Sequence, residues 1–544
     1  MILILFSTIF ILPVLLGLGK IMEKLFGFLY QGISGRILSG IMGVSLLWTV
    51  ISFFIPLNIY VEIPTVLLGL LYFFKEKLYL EICNFSKKDI LLITFIAAII
   101  LFAGAYYPYI LDHFGYYVPS IKWLTEYGLV KGISNLDITL GQMSMWHIFQ
   151  AGFSNFSDPF LRINAILLII YTIYSIERKN WTHLCFLPVL LLFSQSPSPD
   201  LPVIILSLVI LNEIISGNKN INLLFAFSAF VFSIKPTMLW LPILVFLCSI
   251  FIFKSDFKKL FFGGIILSLF CIKNIWTFGY PIFPVSIADF GFSWKPNSEV
   301  LKTSSQYAIL KTYDMQYSYE EIQKFSTWDH IKNWFFLKGF KSTINILFIL
   351  SLTLFFIFTW IKKKKIITLI FISVLIKSIL VIAFSAQYRF FIDVFFVISF
   401  VFFNKYLNKR KSFAVFTVLS VFLISLLSFP DFIQRYIPSF QLGHFMAGFK
   451  KKQFFQPSVY EYRQFESFKV GNLKFNVSKN YPYNFETPLP AISASFIFDD
   501  VKAEIFPQLI DKNDISKGFI WKRMTYKEKK EADAVINSIE NIHK

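Results

Sequence analysis

Long stretches without a single charged side chain decide which solvent this chain can fold in. The runs 1–19, 37–56, 343–361 and 412–428 carry no Asp, Glu, Lys or Arg at all. Apolar runs with no more than three charges each cover 58–74, 89–107, 160–176, 183–197, 200–215, 221–235, 237–253, 258–275, 366–384 and 389–404. An α-helix satisfies its own backbone, so it is the natural form for such a run in lipid, and about 20 apolar residues cross a bilayer core. A soluble domain averages about a quarter charged residues, whereas this one of 544 has 16% and a mean hydropathy of +0.62. The expectation is an all-α polytopic membrane protein, a bundle of about 13–14 transmembrane helices. The first run lacks a basic segment before it and reads as a first helix, not a cleaved signal.

The net charge of +19 does not suggest nucleic acid, because the cations collect in short turns between apolar runs. Lys75, Lys77, Lys87 and Lys88 form one such turn. Lys254, Lys258 and Lys259 form another, Lys362 to Lys365 a third, and Lys405, Lys409, Arg410 and Lys411 a fourth. Such turns stay in the cytoplasm. Two longer polar loops, 108–141 and 276–342, then fall outside, together with the tail. This divides the chain into a membrane domain, 1–429, and an extracytoplasmic domain, 430–544, of α+β type. The tail contains a hairpin signal, Lys469–Val477, alternating around Gly471-Asn472. The run 142–157 upsets the alternation of sides if Glu177, Arg178 and Lys179 are also cytoplasmic. Either it dips and returns, or the 176–182 turn lies outside. The four cysteines form no CxxC or Cys/His cluster, so no metal or disulfide is expected.

The first long loop opens with Asp112-His113-Phe114-Gly115-Tyr116-Tyr117. A carboxylate at the rim of a helical bundle has a tunable pKa, and Asp112 with His113 fits removal of a proton from a hydroxyl. Asp112 capping the next helix is the plainer alternative. Lys235, Lys273 and Arg389 each stand near the outer end of an apolar run. A cation at that depth faces a wet cavity or snorkels to the interface; three together make an anion site, with arginine's fork suited to phosphate. Asp200, beside Pro199, either caps a helix or lines the same cavity.

In order along the chain, several stretches resemble a group of bacterial polytopic proteins related to the GT-C glycosyltransferases, the class of the protein O-mannosyltransferases and the lipid A aminoarabinose transferase. They are Asp112 through LTEYGLVKGISNLD to MSMWHIFQAGF; Ser196-Pro197-Ser198-Pro199-Asp200; Ser233-Ile234-Lys235-Pro236-Thr237; and Lys273-Asn274 with Gly279-Tyr280-Pro281-Ile282-Phe283-Pro284. Gln387-Tyr388-Arg389-Phe390 and Pro488-Leu489-Pro490 complete the series. The group often has His at the place of Tyr117 and Arg at the place of Lys273.

The resemblance implies a GT-C-like bundle in the bacterial inner membrane that moves a sugar from a polyprenyl-phosphate carrier to a glycan, lipid or protein acceptor outside the cytoplasm. Asp112 and His113 are then the catalytic pair. Lys235, Lys273, Asn274, Arg389, Tyr117, Tyr388 and Asp200 are the substrate contacts. No cofactor is implied. An O-antigen-type polymerase or ligase, a lipid-linked sugar flippase or other transporter, and a scaffold without chemistry are the alternatives.

Overall fold

The computed structural model describes residues 1–404, 406–436, 447–459, 464–479 and 481–543; Lys405 of the fourth basic turn lies outside them. Six helices are long and apolar enough to cross a membrane: Ile2–Phe26, Ile33–Ile51, Phe257–Phe278, Phe340–Lys362, Lys365–Phe384 and Lys409–Ser428. Shorter apolar helices, among them Ile163–Glu177, Ile221–Ile234, Pro236–Phe251 and Ile392–Phe403, pack with them. The lysine-rich turns also hold the helix starts. The side chains of Ser86, Asn180, Asn220, Asp256 and Asn408 each accept from a backbone N–H of the segment that follows, satisfying donors that a helix start leaves open. Helices Ile2–Phe26 and Ile59–Lys75 touch backbone to backbone. A Cβ on Gly17 would stand 1.8 Å from the Gly69 carbonyl oxygen, the close approach that small residues allow between helices in lipid.

Two apolar runs behave differently from the rest. Within 142–157 only Met145–Phe153 is α-helical. Nine residues rise about 13 Å, less than half of a bilayer core, so this helix does not cross. Ser144 caps it and donates to the Ile234 carbonyl at 2.8 Å. The run 183–197 forms short turns, Trp181–Cys185, Leu187–Leu190 and Leu191–Phe193. Pro188 removes a backbone donor there, and the Gln195 amide donates to the Ala103 carbonyl at 2.9 Å.

The tail forms a small domain with two hairpins. Strands β1 (Phe465–Val470) and β2 (Leu473–Ser478) pair antiparallel around Gly471-Asn472, where Gly471 takes a positive φ of 61°, as a two-residue hairpin turn requires. Strands β3 (Ile505–Asp511) and β4 (Asp514–Arg523) form the second hairpin. Helices Ala494–Lys502 and Tyr526–His543 complete it. The domain leans on both long loops: Phe519 N–H donates to the Lys131 carbonyl at 2.9 Å, and Trp521 Nε1 to the Lys295 carbonyl at 3.0 Å.

Candidate functional site

Four breaks in helical structure meet at one end of the bundle, and each carries a charge. Pro236 cannot continue helix Ile221–Ile234, so Lys235 turns extended at its end. Helix Lys365–Phe384 stops at an extended Ser385, and Arg389 follows in a single turn, Tyr388–Phe390. Asp200 opens helix Asp200–Ile215 after the Ser-Pro-Ser-Pro step. Asp112 precedes a wide turn, His113–Tyr117.

These four side chains converge. Arg389 Nη1 donates to Asp112 Oδ2 at 2.8 Å. Lys235 forms an ion pair with Asp200. The Phe390 ring links the two pairs, with its centre 5.1 Å from the Arg389 guanidinium carbon and 5.6 Å from Lys235 Nζ. Asp112 makes no cap bond to the turn it opens; its carboxylate is turned to Arg389 instead. Ser198 Oγ donates to Asp200 Oδ2 at 3.2 Å, and the Tyr117 hydroxyl stands 3.5 Å from Ser198 Oγ. Arg389 Nε is buried with no hydrogen-bond partner among the described residues, so one edge of its fork is unused.

A third pair, absent from the sequence reading, lies deeper. Lys377, in the middle of helix Lys365–Phe384, is bonded to Asp393 of helix Ile392–Phe403. Trp240 Nε1 donates to the same carboxylate at 3.0 Å. The charge of Lys377 also reaches Lys235 and Asp200. Exposure falls from pair to pair. The Arg389 and Asp112 side chains are 40% and 30% exposed, Lys235 and Asp200 16% and 18%, and Lys377 and Asp393 2% and 6%. The cluster thus grades from open to dry. Lys377 inside the run 366–384 and Asp393 inside 389–404 were the available signal, since an isolated charge in a span is costly.

The remaining candidates stand apart. Lys273 is 1% exposed, and its ammonium donates to the Met143 carbonyl. It therefore braces the loop before Met145–Phe153 and does not join Lys235 and Arg389. Asn274 Nδ2 donates to the Pro281 carbonyl at 2.8 Å, holding the start of the second loop. The Tyr388 ring lies 5.6 Å from Lys341 Nζ. His113 turns away from the open pair, with Nδ1 3.0 Å from Ser196 Oγ. Burial, then the Arg162 charge, pushes its imidazole down to about 3, so it is neutral at physiological pH. Among the described residues, no three His, Cys, Asp or Glu side chains gather as a metal site would need.

The open pair has aromatic neighbours from the tail. Phe485 N–H donates to the Phe114 carbonyl at 3.2 Å, their rings lie 4.9 Å apart, and a Cβ on Gly115 would meet the Tyr483 ring at 3.9 Å. The second loop grips the Arg389 segment from another side: Trp334 Nε1 donates to the Ala386 carbonyl at 3.0 Å.

No curated protein and no solved structure matches the chain. A family model does, over residues 1–396, which takes in all three ion pairs and leaves out the β-hairpins of the tail. The chain belongs to the family described as a domain of unknown function (DUF8201).

Proposed function

We propose that this protein is an integral-membrane glycosyltransferase that moves a sugar from a polyprenyl-phosphate carrier to an acceptor outside the cytoplasm. In this reading the bundle is GT-C-like and crosses the bacterial inner membrane about 13 or 14 times. The lysine-rich turns face the cytoplasm, and the three ion pairs and the C-terminal domain lie at the outer face.

The observation that carries the proposal is a half-exposed carboxylate beside an arginine whose fork is only partly used. Arg389 and Lys235 hold the donor phosphate, the first through its free edge and the second as a point charge. Asp112 takes the proton of the acceptor hydroxyl as its oxygen bonds to the anomeric carbon. The bond from that carbon to the phosphate oxygen breaks, and the polyprenyl phosphate leaves with the electron pair. The two cations stabilise the charge that develops on it. The Arg389 bond to Asp112 keeps the carboxylate aimed until the acceptor arrives.

The test is transfer of labelled sugar from a polyprenyl-phosphate donor by the purified protein. Asp112→Asn is expected to lower the rate by about a hundredfold or more, as for loss of a general base. Full activity in that variant removes Asp112 from the role. The Lys377–Asp393 pair favours a second reading, since ion pairs inside the membrane also mark transport pathways. In that case the protein moves intact lipid-linked sugar across liposomes and transfers none.

A further inference from the structure

The second loop brings one more cation to the open pair. Its helix Ser298–Thr312 ends against the Arg389 segment: Thr312 Oγ1 stands 3.4 Å from Ser385 Oγ, and Ser385 Oγ donates to the Ala308 carbonyl at 3.1 Å. Lys311, at the last turn of that helix, reaches the surface but is partly desolvated; burial, then the Arg389 charge, lowers its pKa, and the Asp112 charge raises it. The other charges of the cluster are matched one to one: Arg389 with Asp112, Lys235 with Asp200, Lys377 with Asp393. Three cations against three carboxylates leave no net charge to draw in an anion from a distance. Among the described residues the Lys311 ammonium has no ion-pair or hydrogen-bond partner, so the excess positive charge at the mouth is its own.

We propose that Lys311 is a phosphate-binding residue, and that a phosphate ester seats between its ammonium and the unused edge of Arg389. This rests on the anion-binding part of the function proposed above, and it names the group that makes the site attractive to an anion. A phosphodiester carries one negative charge, which the single unmatched cation balances; a phosphate monoester carries between one and two near neutral pH and meets the same cation. Lysine suits the place, because a flexible point charge on a loop can follow a ligand from solvent to the pair, and a charged mouth raises the rate of capture.

Lys311 is exposed, so its replacement leaves the bundle intact, and the variants are Lys311→Met and Lys311→Arg. The full chain in detergent is titrated calorimetrically with farnesyl phosphate and, separately, with inorganic phosphate, at low and high salt. Farnesyl phosphate is expected to bind, and Lys311→Met to weaken it about tenfold, the scale of one partly screened charge. Lys311→Arg restores the affinity, and the difference shrinks at high salt. Inorganic phosphate binding as tightly as farnesyl phosphate, with the same loss in Lys311→Met, upholds the anion site and assigns it free phosphate instead of a lipid carrier. Unchanged binding in Lys311→Met, or no recovery in Lys311→Arg, overturns the role of Lys311. Failure of the unaltered protein to bind either probe overturns the anion site as a whole. Binding with the expected losses but without sugar transfer leaves Lys311 in place and refutes only the transferase.

Discussion

Each carboxylate of the cluster faces one cation, and water decides what each pair is worth. The open Arg389–Asp112 pair sits where solvent screens it, so it contributes little to stability. The Lys377–Asp393 pair is dry, and loss of one partner strands the other charge. Lys377→Met is therefore expected to destabilise the protein by about 3–5 kcal/mol, read as a fall in thermal unfolding temperature in detergent. The double replacement Lys377→Met with Asp393→Leu removes both charges and recovers part of that loss. It leaves Trp240 without its acceptor, so recovery is incomplete. An unchanged unfolding temperature in Lys377→Met would mean that Asp393 is neutral or finds another partner. Sequence alone treats Lys235 and Lys273 alike, each a lysine near the end of an apolar run. The structure separates them because Pro236 breaks the helix at Lys235, whereas Lys273 lies inside a continuous helix and reaches the Met143 carbonyl. Pro236 was visible. The Met143 carbonyl was not, because the partner lies 130 positions away.

At the scale of elements, helix breaks place the charges and the second loop holds one of those breaks in position. Trp334 donates from helix Thr327–Phe335 to the Ala386 carbonyl, three residues before Arg389. Lys341 pairs with Asp314 and faces the Tyr388 ring. Trp334→Phe keeps an aromatic ring, though a smaller one, and leaves the Ala386 carbonyl without this donor, a loss of about 1–3 kcal/mol. The expected result is weaker binding of farnesyl phosphate with the bundle still folded, because the segment carrying Arg389 is no longer fixed. Unaltered affinity would show that packing alone holds the turn. Runs of apolar residues disclosed the long helices well, since length and lack of charge suffice for them. The run 142–157 stood out only through the alternation of sides, which left it either dipping and returning or crossing, and the nine-residue helix Met145–Phe153 fits the first. The turns over 181–193 gave no such signal, because a buried short helix and part of a span share the same composition. The hairpin of β1 and β2 was legible for a local reason: the Gly-Asn turn and the alternation are both contained in a dozen residues.

The whole molecule joins a lipid-facing bundle to a water-facing domain through a buried carboxylate. Asp137, in the first long loop, accepts from Asn484 Nδ2 at 3.2 Å and from Ser493 Oγ at 3.3 Å, both in the tail. Burial pushes its pKa up to about 6, although its hydrogen bonds pull the other way. Asp500, also buried, is held well above the ordinary carboxylate range by burial and by the charges of Asp499 and Asp137. A carboxyl whose pKa is raised on docking binds its proton more tightly in the docked state. Docking is therefore strongest below about pH 4 and weakens as pH rises, with the share of Asp137 lost between about pH 4 and 6. That share amounts to about 3 kcal/mol by the size of the shift, and Asp500 carries the weakening to higher pH. The measurement is the protection of β3 and β4 against hydrogen exchange in the full chain, relative to the free amide rate at each pH, with protection expected to fall from pH 4 upward. Asp137→Asn keeps the shape and removes the titration. The Asn484 Oδ1 is buried without a partner among the described residues, so a turn of that amide supplies an acceptor for the new NH₂. The variant is expected to flatten the pH dependence between 4 and 6 and to leave the part that belongs to Asp500. Protection that stays constant from pH 4 to 8 in the unaltered protein would mean that neither carboxyl senses docking, and that the hydrogen bonds to Lys131 and Lys295 hold the domain by themselves.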